Sequence, residues 1–79
     1  MARIRSLQPG IQNVVVHPTA VDCFFQVVAA PDGSTILHLS TFGSEDRASR
    51  PKSSQSLQID EEIASQMVAV LRATFPLLE

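Results

Sequence analysis

The run Arg47-Ala48-Ser49-Arg50-Pro51-Lys52, followed by Ser53-Ser54-Gln55-Ser56, is the stretch of this chain best suited to hold a ligand. It sets three cations without an intervening acid beside short hydrogen-bonding side chains, a combination that fits phosphate oxygens. Glu45 and Asp46, just before it, weaken the local field. The plain alternative is a solvated loop whose charges keep a sheet edge from aggregating. Phe24 and Phe42 are the next candidates. Aromatic rings on an open surface stack nucleic-acid bases, and they serve equally well at the centre of a contact between subunits.

Catalytic and metal chemistry finds little support. His17, Cys23 and His38 are separated by six and fifteen residues, which matches no zinc pattern, and three ligands do not close a structural tetrahedron. Cys23 reads instead as a small hydrophobe in the core. His38 with nearby serines and Asp22 lacks the strained nucleophile turn and glycine-bearing oxyanion loop of a hydrolase. The three glycines form no phosphate-binding loop. The expectation is a non-enzyme with no metal and no cofactor.

The elements that position these residues follow from patterning. The chain has 79 residues and 44% hydrophobic content, enough for one folded domain over residues 1–79. Residues 1–10 read as a flexible lead-in ending at the turn pair Pro9-Gly10. Ile11 to Val16 is β-branched enough to suggest a short strand, stopped by His17-Pro18. Val21 to Ala30 is a clearer strand, rich in Val and Phe. Pro31-Asp32-Gly33-Ser34 is a turn signature, and Thr35 to Phe42 then returns as the second arm of a hairpin. Ser53 to Ile59 alternates as a last strand. From Asp60 the period lengthens to that of a helix, with Asp60 as cap, Glu61 and Glu62 at the positive end of the dipole, and Pro76 as stop.

The predicted fold is α+β, an antiparallel sheet of three to four strands packed on one C-terminal amphipathic helix. Strand parity divides the sheet. Cys23, Phe25, Val27 and Ala29 share an apolar face with Leu37, Leu39, Leu57 and Ile59, and the helix arc from Ile63 to Phe75 is its natural cover. The opposite face holds Phe24, Gln26, Val28, Ile36, His38, Ser40 and Phe42, with Ser54, Ser56 and Gln58. Nothing remains in the chain to cover that second face.

Charge is uneven. The net charge of −2 is not that of a protein held to nucleic acid by bulk charge. Residues 1–59 carry five cations against four acids, whereas residues 60–79 carry Arg72 against four acids. No apolar run approaches a membrane span, no apolar leader is visible, and one cysteine suits a reducing compartment. A cytoplasmic protein without membrane contact is expected.

The segment from Val21 to Phe75 resembles the positive-cofactor-four family of small single-strand DNA-binding coactivators. The likeness rests on Leu37-His38-Leu39-Ser40-Thr41-Phe42-Gly43, on Arg50-Pro51-Lys52, and on Ser56-Leu57-Gln58-Ile59-Asp60-Glu61-Glu62-Ile63. The chain also resembles small actinobacterial proteins sharing the His-Leu-Ser-Thr-Phe-Gly-Ser and Pro-Lys-Ser-Ser-Gln-Ser segments. The family resemblance implies a curved sheet with one helix and a homodimer formed through that helix, here through Met67, Val70, Leu71 and Phe75. It implies nucleic-acid contacts at Phe42, Arg50, Lys52, Ser54 and Ser56, to which parity and charge add Phe24, His38 and Arg47. Absent from this chain are the family's tryptophan and lysine-rich strand pair. The expected function is non-catalytic binding of single-stranded nucleic acid. A protein-interaction or assembly module with an open sheet face is the alternative.

Overall fold

A computed structural model describes residues 1–42 and 53–79. Its elements are β1 (Ala2–Arg3), β2 (Asp22–Ala29), β3 (Thr35–Phe42), β4 (Ser53–Ile59) and α1 (Glu61–Thr74). They form one α+β unit with a four-stranded sheet in the order β1-β4-β3-β2.

The hairpin β2–β3 forms for the reasons its turn suggests. Gly33 takes φ +91°, a left-handed conformation that glycine adopts without a Cβ penalty. The Gly33 amide donates to the Ala30 carbonyl at 2.9 Å, and the Ala30 amide donates to Ser34 at 2.8 Å. Asp32 locks the turn, accepting from the Ser34 amide at 2.9 Å and from its hydroxyl at 2.7 Å. Those two bonds, the amide's first, hold the Asp32 carboxyl below its ordinary value of 3.8. A depressed carboxylate stabilises the fold above the unfolded value, and that contribution is lost as pH falls through the folded one. Wild type is therefore expected to lose more stability than Asp32→Asn below about pH 4, checked by urea titrations across the acid limb.

Asp60 separates β4 from α1 and serves both. Its Oδ1 accepts from the Ile63 amide at 2.9 Å, capping the helix, while Oδ2 lies 3.6 Å from the Arg3 guanidinium. At the far end Phe75 is the C-cap, and its amide still bonds the Leu71 carbonyl before Pro76 ends the run.

Four expectations need correction. The sheet is mixed, not purely antiparallel: β1 pairs parallel to β4, with Ala2 opposite Leu57 and Arg3 opposite Gln58. The edge strand thus comes from the segment read as a lead-in. Residues 11–16 form no strand, and Ile11, Val14, Val15 and Val16 are exposed.

The third correction concerns the core. The helix packs chiefly on β4. Phe25 and Val27 remain 73% exposed, and Leu71 39%. One residue separates β4 from α1, so the helix starts two strand spacings, about 10 Å, away from β2. Cys23, expected in the core, is exposed because β2 is the outer strand. Among the described residues the buried apolar side chains are Ile36, Ile59 and Ile63, the last two on either side of Asp60. Finally, the burial of Ile36 closes the second face where β3 begins, so that face is not open along its whole length.

Candidate nucleic-acid interface

The register assigns the second sheet face row by row, because directly opposed residues point the same way. Gln26 stands opposite His38, His38 opposite Gln58, and Gln58 opposite Arg3. One polar row therefore crosses all four strands. The neighbouring row runs Phe24, Ser40, Ser56, and beyond it Asp22 faces Phe42.

Side chains tie these rows together. The Phe24 and Phe42 rings meet edge to face, centroids 5.2 Å apart at 76°. Such a T-shaped pair aligns the positive edge of one ring with the negative face of the other. Ser40 is buried on the same face, opposite Phe24 and two residues before Phe42. Phe24 itself is 57% exposed, so the pair still offers apolar ring surface to a ligand. In the next row Gln58 Nε2 and His38 Nδ1 are hydrogen-bonded at 3.0 Å. Arg3 closes the row with a half-exposed guanidinium whose Asp60 partner sits at a long 3.6 Å. An exposed pair of this kind contributes about 0–1 kcal/mol, so Arg3 can exchange Asp60 for a phosphate at little cost.

The expected site residues divide accordingly. Phe24, His38, Phe42 and Ser56 come together on one face. Arg47, Arg50 and Lys52 lie outside the described residues. Ser54 belongs to β4, but a register shift between Thr41 and Phe42 sets Ser53 rather than Ser54 opposite Phe42. Of the expected dimer residues, Met67 is half-buried and Val70, Leu71 and Phe75 are exposed. Sequence reasoning placed Gln26 and Gln58 on this face but gave them no role, and it missed Arg3 altogether. Only the alternation of β4 hinted at the first two, and nothing in a two-residue strand marks the third.

Among the described residues the face holds stacking surface, amide and imidazole hydrogen-bonding groups, and the Arg3 cation. Among the described residues no group of three His, Cys, Asp or Glu is placed to hold a metal ion. Among them, too, no helix is long and apolar enough to cross a membrane. Compared with known protein families, curated proteins and solved structures, the chain has no match.

Proposed function

We propose that this chain is a non-catalytic module that works as a homodimer and holds single-stranded nucleic acid on the face of Phe24, His38, Phe42 and Ser56. The observation that carries the reading is the polar row Gln26–His38–Gln58–Arg3 lying beside the Phe24–Phe42 pair. Single strands are bound by stacking on aromatic rings and by cations that follow the backbone. Bases on the two rings would bring their edges to the amides and imidazole, and a phosphate to Arg3. Arg47, Arg50 and Lys52, just before β4 in sequence, would add cations for the same phosphates. No cofactor enters this reading, and a cytoplasmic location suits both the ligand and the free Cys23.

The homodimer is supported by the apolar side chains that the chain leaves open on its helix, Val70 and Leu71, and at its C-cap, Phe75.

A second reading, a protein-interaction module, is favoured by the 73% exposure of Phe25 and Val27 on the other face. One titration separates the two. Short DNA and RNA strands are titrated at about 50 and 200 mM salt; binding tighter than about 100 μM at low salt, weakening as salt rises, supports the nucleic-acid reading. Weaker binding at low salt favours the protein-interaction module.

A further inference from the structure

The free edge of the sheet carries more information than its faces. β2 lies at that edge, and all eight of its residues are exposed. Edge strands are normally protected by lysine, proline, bulges or short length. β2 has no lysine and no proline, its ladder to β3 is regular from Asp22 to Ala29, and its one charge is Asp22 at the end.

The hydrogen-bonding phase of that edge can be worked out. The Ala30 amide donates to the Ser34 carbonyl at 2.8 Å, which makes Ala30–Ser34 a hydrogen-bonded pair. Such pairs alternate along an antiparallel ladder, so Val28, Gln26, Phe24 and Asp22 bond inward to β3. Cys23, Phe25, Val27 and Ala29 then turn their amides and carbonyls outward. The far side of the sheet agrees in phase: Ile4 donates to the outward Gln58 carbonyl of β4 at 2.9 Å.

The outward residues are also the apolar-face residues. A two-fold axis normal to the sheet keeps each face on its own side, so it can oppose only residues of like parity. Two copies of β2 running antiparallel therefore match backbone donors to acceptors and apolar face to apolar face in one register class. The two Asp22 carboxylates fall at opposite ends of the seam.

We propose that β2 pairs antiparallel with β2 of a second copy of this chain, joining two four-stranded sheets through backbone bonds from Cys23, Phe25, Val27 and Ala29. This deepens the homodimer of the reading above and rests on it, but puts the seam at the strand edge and not at the helix.

The test reads backbone amides. In wild type, sedimentation gives a dimer, and the Cys23, Phe25, Val27 and Ala29 amides exchange hydrogen as slowly as those of Phe24, Gln26 and Val28. Proline at an outward position removes a seam donor without removing one from the β2–β3 ladder. Val27→Pro is therefore expected to keep the wild-type far-ultraviolet dichroism and to weaken dimerisation by at least about tenfold. A Val27→Pro protein that dimerises as tightly as wild type overturns the proposal. Should that variant fail to fold, the wild-type exchange pattern decides. A dimer whose four outward amides exchange at free-peptide rates overturns the strand seam and leaves the homodimer standing; a monomeric wild type overturns both. Nucleic-acid titration is read separately.

Discussion

Ile63→Ala is expected to lower the unfolding free energy by about 2–5 kcal/mol, the usual cost of removing a buried branched side chain. The whole of α1 has one buried residue, Ile63, at 4% exposure. It lies one turn after the Asp60 cap, so truncation opens a cavity at the point where helix and sheet are joined. Small domains have stabilities near 5 kcal/mol, and a loss of this size populates the unfolded chain at room temperature. Leu71→Ala makes the useful contrast. Leu71 is 39% exposed in the single chain and should cost less than Ile63 wherever the protein is monomeric. If α1 also contributes to the dimer, the cost of Leu71→Ala rises with protein concentration, whereas a core residue's cost is set within the chain. Urea midpoints for both variants at two protein concentrations separate core from interface. An Ile63→Ala midpoint equal to wild type would show that the helix is held by something other than this residue.

The parts of the fold legible in the sequence are those set by neighbours along the chain. The Pro31–Ser34 turn has a left-handed glycine and a self-bonding aspartate, both local, and the return strand Thr35–Phe42 falls at the expected boundaries. The helix start follows from one side chain reaching an amide three residues away. Face parity was legible too, because alternation along a regular strand cannot slip without exchanging the faces.

What escaped depends on contacts between distant segments. Ala2 and Arg3 have no period to read, and only the unpaired side of β4 draws them into a parallel pair. Amphipathicity made α1 the cover of the apolar sheet face, but it carries no information on how far the connection lets the helix reach. The one-residue connection at Asp60 keeps the helix near β4 and leaves Phe25 and Val27 open. The register shift between Thr41 and Phe42, which sets Ser53 opposite Phe42, leaves no mark in the composition. The candidate site shows the same division. Phe24, His38, Phe42 and Ser56 were readable as a set, whereas Arg3, the cation nearest to them by register, was not.

Phe42→Ala is expected to weaken single-strand binding by about 1–3 kcal/mol, or roughly 5- to 150-fold, with little change in its salt dependence. The ring does two things on this face. It offers stacking surface, and it holds Phe24 through an edge-to-face contact at 5.2 Å. Phe24→Ala removes the partner and should fall in the same range, and the double variant should cost less than the two losses added together, since each ring positions the other. Arg3→Ala is expected to behave in the opposite way. Loss of one phosphate contact flattens the slope of log affinity against log salt by about 0.7, uniformly across sequences. Arg47, Arg50 and Lys52 should each give the same electrostatic signature when replaced by alanine, because a cation on a backbone phosphate reads charge and not base. Titrations of the variants at several salt concentrations distinguish ring from cation. If Phe42→Ala binds as wild type does while the cation variants flatten the slope, the strand follows the charges alone and the aromatic pair belongs to a subunit contact.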